Sequence, residues 1–425
     1  MTIFLFTIFT ILSVYCIYLF IRGKLKLSPL WPMLAVWFAA IGISQLHLSS
    51  IELAWPVKYW WLLFVSLVSF ALGFFVFNKI WQRYPFWQKF KFLITQDYSV
   101  KNIRLVIYVL LILSLFGLYK FYTISGNFPL LAADTDVFRF TADEQVPGLY
   151  NYLAQLARIF IPLSFFVMFV QRFNFKKHSD LIIVSLFGIL VLTLFASRTQ
   201  IFFIDLWVMA LYLFIRKPNW KQSLKFYPIF LLISIFVLAA VPLIRQYKSY
   251  GSADYLAGVT QIDNSKAKYG TKYLLPLYIG VSFNQQALLH AQDYYETHPI
   301  QKGKVTLDPF TNILGLDQFK SNFDLGAIFK SWWNTGTYLF PFVIDFGTSA
   351  FFFIPFIIAG FLTLIYRFWL VNPNFLSINL YAYAVFFIVM TVYLSFTVRA
   401  EMYLDLMLLF ISYLVVSKKF QKYDL

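Results

Sequence analysis

Long apolar runs separated by short polar connections dominate this chain. The runs cover 3–21, 29–47, 59–78, 103–121, 150–171, 180–196, 200–215, 226–244, 337–366, 375–395 and 402–417. Each approaches the roughly 20 residues that a helix needs to cross a hydrocarbon core. The ten-residue alternation of membrane-spanning strands is absent. Only helices and closed barrels satisfy their backbones in lipid, so the pattern predicts an all-α polytopic membrane protein. About 11 (10–12) transmembrane helices are expected, within a single integral membrane domain over residues 1–425. One interval breaks the rhythm. From Arg245 to Asn334 the sequence is mixed and often polar, which predicts a large loop over 245–335 on one side of the bilayer. No internal repeat accompanies it, whereas an inverted-repeat transporter places interrupted helices at matching positions in two halves.

Composition agrees with this picture. The chain is 60% hydrophobic, 22% aromatic and 13% charged, with mean hydropathy +0.70, which excludes a soluble protein of this length. Charge then orients it. Alternate connections and the C-terminal tail hold 20 basic and three acidic residues, while the rest of the chain holds 15 and 16. By the positive-inside rule the basic set is cytoplasmic, so the N-terminus and the large loop lie outside and the C-terminus inside. The formal net charge of +16 is therefore a topology signal, and no nucleic-acid partner is expected. No Lys or Arg precedes Arg22, the reverse of a signal peptide's order, so the first run reads as an uncleaved span. Cys16 is the single cysteine, which supports neither a disulfide nor a cysteine metal site.

Against this orientation a few charges stand out. Arg139, Arg198, Arg245 and Arg399 fall on the outer side. Arg158, Asp205, Asp345 and Asp405 fall within predicted spans, where an ionisable group is costly and marks function by default. Singly, each outer arginine reads first as a snorkelling anchor or a structural ion pair; four beside a neutral exterior point to a shared anion site. Ser197-Arg198-Thr199-Gln200 is a tight turn with capping-box spacing. A helix starting there aims free N–H groups outward beside a guanidinium, a combination suited to phosphate. No P-loop, G-x-G-x-x-G, H-E-x-x-H or D-x-D occurs, and the four histidines, His47, His178, His290 and His298, support no metal site.

Several short stretches, in order, resemble the oligosaccharide repeat-unit polymerases of O-antigen and capsule synthesis, called Wzy-type. Gly126-Asn127-Phe128-Pro129-Leu130-Leu131 with Asp136 and Arg139 resembles the family's first outer loop, and Ser197-Arg198-Thr199 its Ser-Arg-Thr turn. Leu243-Ile244-Arg245 with Tyr250-Gly251 is similar to the opening of its large loop. Gly336-Thr337 with Pro341 to Gly347 resembles the re-entry of that loop, and Val398-Arg399-Ala400 its late arginine. Position 256 is not the glycine that some members carry after the loop arginine.

The resemblance implies a glycosyltransferase C-like enzyme in the bacterial inner membrane, with its N-terminus and large loop periplasmic. Its donor and acceptor are oligosaccharides on undecaprenyl diphosphate, and a chain-length regulator and a flippase are further expected partners. A hydroxyl of one unit attacks the anomeric carbon of the growing chain, undecaprenyl diphosphate leaves, and no cofactor is implied. Arg198, Arg245, Arg399 and Arg139 are then the candidate diphosphate ligands. Asp345, at the loop's re-entry, and His290 are the candidate catalytic groups. Tyr294, Tyr295, Trp332 and Trp333 read either as sugar platforms or as interfacial anchors. An O-antigen ligase leaning on a loop histidine and a non-enzymatic flippase or transporter are the alternatives.

Overall fold

The structure, a computed structural model, describes residues 2–23, 25, 27–85, 98–218, 255–262, 274–314, 316, 328–330, 333 and 335–417, with scattered positions between 222 and 251. The described chain is helical, and its β content is two isolated bridges, Ser49 to Ile262 and Tyr98 to Ser417. The helices are α1 (Thr2–Arg22), α2 (Leu30–Ser44), α3 (Val57–Arg83), α4 (Val100–Ser125), α5 (Thr135–Gln145), α6 (Gly148–Ala154), α7 (Ala157–Val170), α8 (Ser179–Leu194) and α9 (Arg198–Arg216). After a five-residue turn of helix at Tyr255–Val259 follow α10 (Leu275–Thr297), α11 (Lys304–Leu314), α12 (Phe340–Phe346), α13 (Ala350–Val371), α14 (Phe375–Met390) and α15 (Ala400–Val416).

Ten of the apolar runs coincide with these helices; the run 226–244 lies largely outside the described residues. Among the described residues, six helical segments are long and apolar enough to cross a membrane, and α2, α8 and α14 are shorter apolar helices. The outward faces carry large apolar side chains, such as Trp61, Ile112, Ile183 and Phe361, each more than 60% exposed. In water such a surface has no stable account; in lipid it is the expected face. The chain is a helical membrane protein.

At the centre, α7 is buried from Ala157 to Met168 at every residue but Phe165, and α9, α8 and α4 pack around it. The long helices α3 and α13 pair closely, and a Cβ on Gly73 would meet the Phe356 carbonyl oxygen at 2.7 Å. Small residues at such crossings let backbones approach where lipid offers no hydrophobic drive between helices.

The connections sort into two ends of the bundle. At one end, Tyr381 Oη donates to the Leu27 carbonyl, Arg104 pairs with Asp180 at 3.0 Å, Arg367 donates to Asn78 at 2.6 Å and Ser99 N–H donates to the Val416 carbonyl at 3.1 Å. At the other, contacts join residues 48–53 to 260–261 and 278–286, residues 130–136 to Leu194, Arg245 and Ser249, and Tyr338 to Thr391. Ser49 Oγ donates to the Thr260 carbonyl, Leu130 N–H to the Leu194 carbonyl at 2.9 Å, and Tyr338 N–H to the Thr391 carbonyl at 2.8 Å. None of these contacts joins an expected inner connection to an expected outer one.

The segment 245–335 is not all open loop. Helix α10 lies within it and is mostly buried, including Ser282, Asn284, Gln285 and Gln286. Its polar groups are used on the 48–59 connection. Tyr278 and Ser282 donate to Glu52, Gln286 bonds both backbone groups of Leu53 at 3.0 Å, and Tyr59 Oη donates to the Gln285 carbonyl at 3.1 Å.

Candidate functional site

A cavity of about 710 Å³ opens at the end of the bundle that carries residues 126–147, 195–197 and 391–399. This is the size of sites that hold small ligands. Its wall gathers four arginines, Arg139, Arg158, Arg245 and Arg399, and three carboxylates, Asp136, Glu401 and Asp405. These residues come from α5, α7, the stretch before Tyr250, and the start of α15. Their formal charges sum to +1.

The loop that follows α4 is positioned by its aromatic anchor. Gly126 ends α4 at φ +74°, a conformation open to glycine at no cost. Phe128 then stacks on Phe121 at 5.9 Å and meets Phe195 edge-on at 6.0 Å. This pins the loop beside the α8–α9 turn and brings α5 over the cavity. The Asp134 side chain caps α5 by accepting from Asp136 N–H and Val137 N–H, both at 3.1 Å; the Val137 bond above all, then a bond from Ser249, holds its carboxyl below the usual range. Asp136, in the first turn, accepts from Arg245 Nε at 2.9 Å and from its Nη2. Both Arg245 bonds fall on one carboxylate oxygen, so further N–H groups of the fork remain for a ligand.

At the turn into α9, the helix begins at Arg198 as its spacing predicts, but the Ser197 side chain makes no capping bond. The expected capping box is not formed. Ala196 takes a left-handed φ of +50° to make the turn, a conformation that costs a non-glycine residue about 1–2 kcal/mol. The backbone of Arg198 is at the cavity rim between Ser197 and Thr199, both of which line the wall with Gln200; its side chain lies outside the described residues.

The floor is a buried charge pair. Arg158 donates to Asp405 Oδ1 from Nε at 3.1 Å and Nη2 at 3.0 Å, and both residues are 3% exposed. Tyr152 Oη adds a third bond to the same oxygen at 3.0 Å, and the guanidinium lies 4.7 Å from the Tyr152 ring centre. A buried pair so surrounded meets the condition under which desolvation is offset. Asp405 Oδ2 has the looser partner, Tyr383 Oη at 3.5 Å. Glu401, one turn earlier on α15, lines the same wall. Arg399 N-caps α15 and forms no ion pair with it among the described residues.

Most of the remaining predicted residues lie elsewhere. Asp345 is fully buried at the end of α12, where it accepts from Val305 N–H at 3.2 Å and Thr306 N–H at 2.8 Å. These are the second and third residues of α11, so Asp345 caps that helix from a distance. It does not line the cavity. His290 is half-buried on α10 with its ring 5.2 Å from that of Phe329, and it does not line the cavity either. Burial lowers its pKa, with Asp293 opposing and Lys330 assisting. Tyr294 stacks on exposed His298 at 3.9 Å, and Tyr295 bonds Thr348 at 2.6 Å. Trp332 lies outside the described residues. Trp333 does reach the wall, held by Nε1 donating to Asn284 Oδ1 at 3.2 Å, and Thr335 donates to the same oxygen at 2.9 Å. Asp205, buried in α9, accepts from Ser234.

Arg158 and Asp405 were visible in the sequence as charges inside spans, but nothing there paired them across 247 positions. Glu401 carried no signal beyond its place after Arg399. No protein-family profile, curated protein or solved structure matches this chain.

Proposed function

We propose that this protein polymerises oligosaccharide units carried on undecaprenyl diphosphate, at the outer face of the bacterial inner membrane, in the synthesis of O-antigen or a related surface polysaccharide. The observation that carries the reading is the convergence of Arg139, Arg158, Arg245 and Arg399 on one cavity, at the end of the bundle expected outside from the positive-inside rule.

In the proposed step the acceptor hydroxyl oxygen bonds to the anomeric carbon of the growing chain. The bond from that carbon to the diphosphate oxygen breaks, and its electron pair leaves with undecaprenyl diphosphate. Arg245 and Arg399 face the charge that gathers on the leaving oxygens, where preorganised donors act most strongly. The hydroxyl proton passes to a carboxylate. Glu401 suits this role better than Asp405, whose Oδ1 already accepts three hydrogen bonds. Trp333, fixed by Asn284 on the wall, offers an apolar face to a sugar ring. Asp345 and His290 have no part in this version of the chemistry.

A ligase would need a histidine at the reacting centre, and His290 lies against Phe329 away from the wall. A flippase would place its polar site near the bilayer midplane between repeats, whereas the arginines Arg139, Arg245 and Arg399 are at one end.

Deletion of the protein separates the three. Surface polysaccharide from the deletion strain, run on a gel, should shorten to single repeat units. Unattached long polymer would mark a ligase instead, and complete loss of polysaccharide a flippase.

A further inference from the structure

We propose that an apolar slot beside the cavity seats the isoprene units adjoining the diphosphate of the lipid carrier; this rests on the reading above, which places the diphosphate at the arginines. The slot holds about 180 Å³ between α2, α9, α10 and α14. Val36, Ile43, Phe202, Leu277, Val281 and Val389 are among its lining residues, and no charged side chain lines it. All six are half-buried, so the slot is open at the bundle surface.

Its position, more than its polarity, identifies the occupant. Thr199, Pro276 and Tyr393 belong to the walls of both slot and cavity. Tyr393 is a built partition. Its carbonyl accepts from Asn284 Nδ2 at 2.7 Å, and its ring occupies the space where a Cβ on Gly280 would come within 2.7 Å of Cε2. Asn284 thereby fixes both this partition and the Trp333 wall of the cavity. A dry slot joined to an arginine-rich cavity matches a molecule with an anionic head and an apolar tail. Size narrows the tail. An apolar cavity of about 150 Å³ takes up benzene, six carbons, so this slot accommodates one five-carbon isoprene unit and the start of a second.

The test uses the purified full-length chain in phosphatidylcholine nanodiscs, with binding of inorganic diphosphate, geranyl diphosphate and phosphatidic acid measured by calorimetry. Two variants, Ala39→Phe and Val389→Phe, fill the slot from different helices, and thermal melting checks that each is folded. In the parent protein, geranyl diphosphate should bind about tenfold or more tightly than inorganic diphosphate, the gain expected for burying several apolar carbons. Either filled variant should lose that gain while inorganic diphosphate binds as before. If diphosphate binds but geranyl diphosphate shows no gain, or keeps it in folded variants of both kinds, the slot assignment is overturned and the proposed function stands. Phosphatidic acid binding as tightly as geranyl diphosphate also overturns it. Failure of every diphosphate to bind removes the arginine site itself, and the slot with it.

Discussion

A guanidinium presents parallel N–H donors to phosphate oxygens, whereas an ammonium of equal charge presents a point. That difference separates a diphosphate ligand from a lipid anchor, since both side chains snorkel equally well. Arg245→Lys and Arg399→Lys should each abolish long polymer while membrane levels of the protein are unchanged; Arg198→Lys should follow them, and Arg139→Lys should be mildest. The expected loss is about 100–1,000-fold in rate, the scale of removing one preorganised donor, read from chain-length distributions. Normal distributions in both Arg245→Lys and Arg399→Lys would leave these residues as anchors. Asp345 behaves differently because its oxygens accept from the first turn of α11. Asp345→Asn should retain full-length polymer, and Asp345→Ala should lower stability by about 1 kcal/mol, the usual cost of a lost cap; short polymer from a well-folded Asp345→Asn would return the residue to catalysis. His290 gives a pH signature. Its pKa is lowered chiefly by burial, so the unfolded chain binds more protons near and below about pH 6.5. No penalty exists above that value, and stability is lost as pH falls below it. His290→Gln should therefore melt with a smaller drop between pH 7 and pH 5 than the parent, with polymer length unaffected.

At the scale of elements, hydropathy located the helices well because membrane length and apolar content are local properties of the chain. The re-entrant run 337–366 was harder. Its Pro341 sits at the start of a short helix, and Gly347 at φ +64° breaks the path before α13 resumes. Helix α10 was not legible, since its buried Asn284, Gln285 and Gln286 read as loop until their partners at Leu53, Tyr59 and Tyr393 are known. The same limit applies to the site. Arginines at span ends could be listed from sequence, but pairing Arg245 with Asp136 and Arg158 with Asp405 depends on which helices are neighbours. A carboxylate inside a span is normally functional, which makes Asp345 a candidate from sequence; here a helix start 40 positions away uses it. One packing contact gives an independent check. Gly73→Val would press a branched side chain against the Phe356 carbonyl, costing about 1–3 kcal/mol by overpacking. Lower yield of folded protein is expected, and an unchanged melting temperature would show that α3 and α13 are less closely joined than described.

For the whole molecule, sidedness decides which compartment the cavity serves. The two ends of the bundle are distinct in contacts and in charge, and the arginine cavity belongs to the end with little net charge. Alkaline phosphatase fused at Gly303 should be active and fused at Lys217 inactive; the reverse pattern would put the cavity in the cytoplasm, where lipid-linked units are not polymerised in this scheme. The activity itself has a more direct test. The purified protein in proteoliposomes, given undecaprenyl-diphosphate-linked repeat units from its own host and no nucleotide sugar, should produce a ladder of lengthened oligosaccharides. One undecaprenyl diphosphate should be released for each new linkage, and Arg245→Lys should produce neither. Repeat units that remain single and lipid-linked in the presence of folded, correctly oriented protein would contradict the account.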